Sequence, residues 1–192
     1  MRIIAGLAKG MPLAVPRMGV RPTADRIREA IFSSLGTRVV EARVLDLFAG
    51  TGALGLEAAS RGATSVMFVE NARNAIECLE RNLTTFRRNR DVACEFSVIR
   101  AAVESQLQKL ASAGDTFTLI FADPPYGEEA QNLLRDEVLP QLLVVNGLLV
   151  LESAKRDALA VTAPWESVRE AIYGDTRMDF LRRKSASANR DG

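Results

Sequence analysis

Histidine does not occur anywhere in these 192 residues. Its absence excludes His-based nucleophile systems, imidazole metal sites and the usual general base at neutral pH. Cysteine is almost as scarce. Cys78 and Cys94 are the only two, and they read as reduced thiols, one in a helix and one in a strand, of a cytoplasmic protein. No apolar run approaches the roughly 18 residues that a membrane helix needs. The apolar stretch between Arg2 and Lys9 is too short for a signal peptide, and no internal repeat is present. What remains is an ordinary globular composition, 47% apolar and 26% charged, at a length that suits one well-packed domain.

The net charge of +1 conceals an asymmetry. Residues 1–40 carry seven Lys or Arg (Arg2, Lys9, Arg17, Arg21, Arg26, Arg28, Arg38) against only Asp25 and Glu29. Further basic clusters stand at Arg81, Arg87, Arg88 and Arg90, and at Arg182, Arg183 and Lys184. Localised basic clusters on a near-neutral chain suggest a polyanion footprint, although a solvated surface gives the same pattern.

Short β-prone runs at 2–5 and 12–15, separated by Gly6, Lys9, Gly10 and Pro12, predict an N-terminal hairpin within residues 1–20. Arg21-Pro22-Thr23-Ala24-Asp25 then opens a helix that Gly36 ends, with Ile27, Ile31 and Leu35 on one face. From there strands are expected at about 43–48, 64–69, 94–99, 117–122 and 144–151. Helices are expected between them at about 53–61, 72–86, 101–111 and 129–140. Strand-helix alternation at this spacing means a parallel sheet with right-handed crossovers. Two extended runs, Trp165 to Tyr173 and Thr176 to Arg183, flank Gly174-Asp175 and predict an antiparallel hairpin at the sheet edge. The main domain is therefore expected over 21–184, and the polar residues 185–192 as a disordered tail.

Two segments carry chemistry. In the first, Asp46-Leu47-Phe48-Ala49-Gly50-Thr51-Gly52-Ala53-Leu54-Gly55, a strand runs into a G-x-G-x-x-G loop and then a helix. With Glu70 at the end of the next strand, this fits either a dinucleotide or S-adenosylmethionine. Asp46 tips the balance, because an acid repels a pyrophosphate and attracts an ammonium and a sulfonium. In the second, Asp123-Pro124-Pro125-Tyr126 ends an apolar strand. The adjacent prolines make a stiff exit without backbone donors. Asp123 and the Pro124 carbonyl can accept both hydrogens of a planar amine, while Tyr126 stacks on its ring for ~1–3 kcal/mol. After the third strand, where adenine is expected, Ala101 offers no polar side chain. The backbone of Ala101 or Ala102, or another residue, must serve there.

The glycine loop and tetrapeptide together resemble the class I S-adenosylmethionine-dependent amino-methyltransferases. Arg2-Ile3-Ile4-Ala5-Gly6 with Lys9-Gly10, Arg21 through Glu29, and Tyr173-Gly174-Asp175-Thr176 narrow the resemblance to the RsmD family of 16S rRNA guanine-N2 methyltransferases, over residues 1–184. That resemblance implies a Rossmann-like, mostly parallel seven-stranded sheet with an antiparallel C-terminal strand, plus an N-terminal hairpin and helix. It implies S-adenosylmethionine as co-substrate, no metal, no membrane, and a monomer acting on 16S rRNA in the small subunit or an assembly intermediate. Asp46, Phe48, Gly50, Thr51, Gly52, Glu70, Asn71, Ala101, Ala102 and Asp123 would then hold the methyl donor. Asp123, Pro124, Pro125 and Tyr126 would hold the target base, and Arg2, Lys9, Arg21, Thr23, Arg26 and Arg28 the RNA. Tyr126 stands where many relatives have Phe, and Ala101 where a polar residue is common. A DNA adenine-N6 methyltransferase would use the same tetrapeptide, but usually needs a recognition region for which this length leaves little room. A release-factor glutamine methyltransferase would usually carry Asn at 123. An NAD-dependent oxidoreductase and a catalytically silent RNA-binding module are the readings from other classes.

Overall fold

The computed structural model of the chain describes residues 1–15, 23–89, 91–125, 127–157 and 159–184. Helix α1 (Thr23–Leu35) passes through a 3-10 turn (Gly36–Val39) into β1 (Arg43–Leu47). The alternation continues through α2 (Ala53–Ser60), β2 (Ser65–Glu70), α3 (Arg73–Phe86) and β3 (Glu95–Arg100). It ends with α4 (Val103–Ala113), β4 (Phe117–Ala122), α5 (Glu129–Arg135) and a second 3-10 turn (Leu139–Leu142). Strands β5 (Leu143–Ala154), β6 (Trp165–Tyr173) and β7 (Thr176–Arg183) follow. The seven strands form one sheet in the order β3-β2-β1-β4-β5-β7-β6. Strands β1 to β5 pair in parallel, and β7 runs antiparallel between β5 and β6.

The strands are nearly continuous apolar runs because both sheet faces are covered. Val44, Val66, Phe68, Leu119, Phe121 and Val150 face α1, α2 and α3. Leu45, Leu47, Ile120, Leu149 and Leu151 alternate to the other face, where Leu107 of α4, Leu133 of α5 and Trp165 cover them. Side chains such as Phe32, Phe68 and Phe121 are fully buried, each worth ~1.5–3 kcal/mol relative to exposure.

The sequence pattern places these elements within a few residues, with one larger discrepancy. A helix expected over 129–140 stops at Arg135. Asp136 Oδ1 accepts the N–H groups of Val138 (2.8 Å) and Leu139 (2.7 Å). Pro140, which cannot donate into a helix, opens the 3-10 turn instead.

The N-terminal segment makes a single antiparallel bridge, Arg2 to Pro12, narrower than the expected hairpin. Beside it Ile3 N–H donates to the Met11 carbonyl (2.9 Å), Gly10 N–H to that of Ile3 (2.9 Å) and Leu13 N–H to that of Met1 (3.0 Å), while the tip docks on α2. Glu57 accepts the N–H groups of Ile4 (2.7 Å) and Ala5 (3.0 Å), and Ser60 Oγ accepts that of Ala8 (2.9 Å). Gly6, at φ +83°, makes this docking possible, since a Cβ there would lie 1.9 Å from the Ser60 carbonyl oxygen. The expected boundary at residue 20 and the expected tail 185–192 lie outside the described residues. Among the described residues no helix is long and apolar enough to cross a membrane.

Candidate active site

Strand β1 has β2 on one side and β4 on the other, so the chain leaves its carboxyl end at a topological switch point, where open α/β sheets bind ligands. Register decides what stands there. Asp46 is paired with Phe121, and Phe121 with Val150. Because side chains alternate with period two, Asp123 and Glu152 fall on the same face as Asp46, one pleat further on. All three acids line one cavity of about 210 Å³, which Ile27 and Ile31 of α1 close on the apolar side.

The glycine loop forms the cavity's rim. Phe48 (φ 56°), Gly50 (φ 55°) and Gly52 (φ 76°) all take left-handed backbone conformations. Gly52 cannot be otherwise: a Cβ there would lie 2.3 Å from Leu79 Cδ1. Phe48 in this conformation carries backbone strain of a kind that clusters at functional sites, and it walls both this cavity and a second one. That second cavity, about 220 Å³, is lined by Glu70, Asn71, Ala101, Glu104 and Pro125.

Glu70 joins the two regions. Its Oε2 accepts the Gly50 N–H (2.7 Å), and its Oε1 those of Asn71 and Ala72 (both 2.8 Å). One further acceptor position remains for a hydroxyl. The Ala101 N–H is also engaged, donating to the Glu70 carbonyl at 3.1 Å. Ala101 lines the second cavity, while Ala102, the residue preceding α4, is not part of that lining.

Electrostatics single out the acids of the first cavity. Asp46 is buried and accepts only the Gly55 N–H among the described hydrogen bonds, at 2.9 Å. Loss of hydration, then the charges of Asp123 and Glu70, push it up to about 8 despite that bond. Glu152 is pushed up to about 8 by burial and then by Asp123. Asp123 presents surface to solvent as a residue, yet it lines the cavity and loss of hydration there also raises its carboxyl. Three mutually repelling acids at one cavity are matched to a ligand that brings positive charge and N–H donors. Among the described residues no cluster of His, Cys, Asp and Glu is arranged to hold a metal.

Of the remaining expected residues, Pro124 is buried and Pro125 exposed, while Tyr126 and Arg21 lie outside the described residues. Thr23 opens α1. Arg2, Lys9 and Arg26 are exposed. Arg28 is a correction: expected at the RNA surface, it is only 3% exposed. It pairs with Asp25 (3.1 Å) and Glu57 (3.7 Å) and donates to the Arg2 carbonyl. Burial lowers its affinity for the proton while both carboxylates oppose that shift.

Three residues escaped the sequence reading. Glu152 follows the apolar stretch Leu148–Leu151 within β5, and Glu57 sits in an alanine-rich helix. Asn82 binds Ala14 through both its N–H (2.6 Å) and carbonyl (3.0 Å) and donates to the Thr51 carbonyl (2.9 Å). It thereby ties the N-terminal segment to the glycine loop. Its signal was present: Leu79, Asn82, Leu83 and Phe86 keep helical spacing, so Asn82 occupies a buried stripe.

Comparison with known proteins agrees with this geometry. The family described as conserved hypothetical protein 95 matches residues 1–182. Ribosomal RNA small subunit methyltransferase D of Escherichia coli K12 is 35% identical over 190 residues, covering 96% of this chain and 90% of that protein. A hypothetical protein of Thermus thermophilus, TTHA0928, superposes with a TM-score of 0.79 at 32% identity, covering 95% of this chain and 99% of that one. The structure of SMU.776 complexed with SAH, 15% identical, shares the fold with a TM-score of 0.65 over 84% of this chain and 50% of that one. The chain belongs to the conserved hypothetical protein 95 family, the RsmD family of methyltransferases.

Proposed function

We propose that this chain transfers a methyl group from S-adenosylmethionine to the N2 amine of a guanine in 16S rRNA. It would act in the cytoplasm as a monomer, on the small ribosomal subunit or an assembly intermediate. The observation that carries this reading is the convergence of Asp46 and Asp123, from adjacent strands, on one cavity beside the glycine loop. A pyrophosphate placed against these acids would be repelled, which disfavours a dinucleotide. The name of the Escherichia coli relative supports ribosomal RNA as substrate.

The residues fit the donor. Asp46 suits its ammonium group, Glu70 has an acceptor left for a ribose hydroxyl, and the second cavity, lined by Asn71, Ala101 and Glu104, suits the adenine. When bound, S-adenosylmethionine supplies an electrophilic methyl group on a sulfonium. Asp123 and the Pro124 carbonyl accept the hydrogens of the target amine and hold its nitrogen toward that methyl. As the N–C bond forms and the S–C bond breaks, the amine loses a proton, which the Asp123 carboxylate would accept. Its raised affinity for protons suits that role.

Binding should release protons. Asp46, with its value near 8, is mostly protonated in the free protein at pH 7. A cation favours the ionised carboxylate, so calorimetry in buffers of different ionisation enthalpy should show about one proton released at pH 7. Above pH 9 the release should give way to proton uptake, because Asp46 is already ionised while the free ligand's α-amino group, ordinarily at ~8, must gain a proton to pair with it. A binding enthalpy independent of buffer at pH 7 would contradict this role for Asp46.

The reaction itself is tested by tritiated-methyl transfer to undermethylated small subunits, free rRNA and DNA, followed by nucleoside analysis. N2-methylguanine from the RNA substrates is expected. N6-methyladenine as the product would overturn the guanine reading.

A further inference from the structure

Glu152 lies beside Asp123 across a strand pair. Ala122 is in register with Leu151, so the following residues, Asp123 and Glu152, emerge side by side on one face of the sheet. Both line the cavity that Asp46 closes from below, and Ile27 and Ile31 give it a flat apolar wall. Arg28, nearly wholly buried, belongs to the same wall, and its Nε is a buried donor without a hydrogen-bond partner. The charged lining is therefore the neighbouring pair Asp123 and Glu152, Asp46 and the Arg28 guanidinium.

We infer that Glu152 is a specificity-determining residue that accepts the N1–H of the target base while Asp123 accepts from N2, so that the pair selects guanine. This rests on the guanine reading above. Flipped bases are read along their Watson–Crick edge. Guanine presents two adjacent donors there, N2–H and N1–H, followed by the O6 acceptor. Two adjacent carboxylates meet both donors, and the donors relieve the repulsion between them. Adenine presents a donor at N6 but an acceptor at N1, which a protonated Glu152 would serve. Selection of guanine therefore requires Glu152 to ionise, and the preference should grow as pH rises through about 8. The separation of neighbouring parallel strands, ~4.8 Å, suits carboxyls that reach two atoms of one base edge. Asp123 thus serves the reacting amine and Glu152 the base's identity.

The test uses 2-aminopurine, which keeps the N2 amine but has a bare acceptor at N1. Small subunits are reconstituted from 16S rRNA carrying guanine or 2-aminopurine at the position that nucleoside analysis identifies. The wild-type chain should prefer guanine by about 100-fold in kcat/KM, the cost of losing one charge-assisted hydrogen bond. Glu152→Gln should be slowed on guanine, nearly unchanged on 2-aminopurine, and so lose most of that preference. Glu152→Asp, whose carboxylate is one bond shorter, should recover part of it. The Tm increase caused by S-adenosylmethionine should be the same in all three proteins. An unchanged guanine-to-2-aminopurine ratio in Glu152→Gln would overturn the inference while leaving the guanine reading intact. N6-methyladenine made by the wild-type chain would overturn both.

Discussion

Asp123→Ala should abolish methyl transfer, with a loss of at least about 10³ in kcat, while S-adenosylmethionine still raises the Tm. An aromatic exocyclic amine is a weak nucleophile because its lone pair is delocalised into the ring. Its reactivity depends on acceptors that hold both hydrogens and stabilise the charge developing on nitrogen. Removing one such electrostatic partner typically costs about 10²–10³ in rate, and in the proposed reaction the same group also accepts the departing proton. Asp46, Gly50 and Glu70 stay in place in the variant, since none of the described hydrogen bonds of these residues involves Asp123. Ligand binding therefore persists. Removing Asp123 also takes a negative charge away from Asp46 and Glu152, so both should ionise at lower pH in the variant. Asp123→Asn keeps one acceptor oxygen at the same position and should retain more activity than Ala. Turnover in Asp123→Ala within tenfold of wild type would remove Asp123 from the reaction.

How legible these features were follows from what each residue does locally. The parallel core could be read because strands buried on both faces are apolar runs broken by glycine and proline. Val44 to Leu47 and Phe117 to Ala122 show this plainly. Asp46 and Asp123 were visible because an acid inside or just after such a run, beside a glycine loop or a proline pair, has few structural uses. Glu152 closes a run too, but no glycine loop or proline pair marks it, and only the β4–β5 register brings it to the cavity. Arg28 was misread because its charge suggested a surface, whereas it adjoins Ile27 and Ile31 on the buried side of α1. The partner that makes this burial tolerable, Glu57, is 29 residues away and invisible to local pattern. Arg21, assigned to the RNA from sequence, and Tyr126, assigned to stacking on the target base, lie outside the described residues.

Glu57→Ala should be the most destabilising single substitution away from the hydrophobic core, costing ~3–5 kcal/mol. Glu57 is 0% exposed, and its carboxylate accepts from Ile4, Ala5 and Arg61 Nε, the last at 2.8 Å. Its Oε2 also lies 3.7 Å from Arg28 Nε. Truncation leaves Arg28 buried with only the half-exposed Asp25 as a counter-charge, and an unpaired buried ion is what makes such losses large. At ~2–4 °C per kcal/mol for a chain of this size, the Tm should fall by about 10 °C. Glu57→Gln keeps an acceptor for the two backbone N–H groups and should fall about half as far. Adding Arg28→Met to Glu57→Gln should restore part of the loss, because the stranded cation is then gone. Hydrogen exchange at Ile4 and Ala5 should accelerate in Glu57→Ala even well below the melting transition. A Tm change below 2 °C would show that the network is not needed to hold residues 1–14 on α2. The functional consequence lies in what that segment carries. Arg2 and Lys9 are exposed on it, and Asn82 ties its end at Ala14 to the glycine loop at Thr51. Releasing the segment should therefore raise KM for the RNA more than for S-adenosylmethionine. One buried carboxylate thus couples the strength of the fold to the grip on substrate.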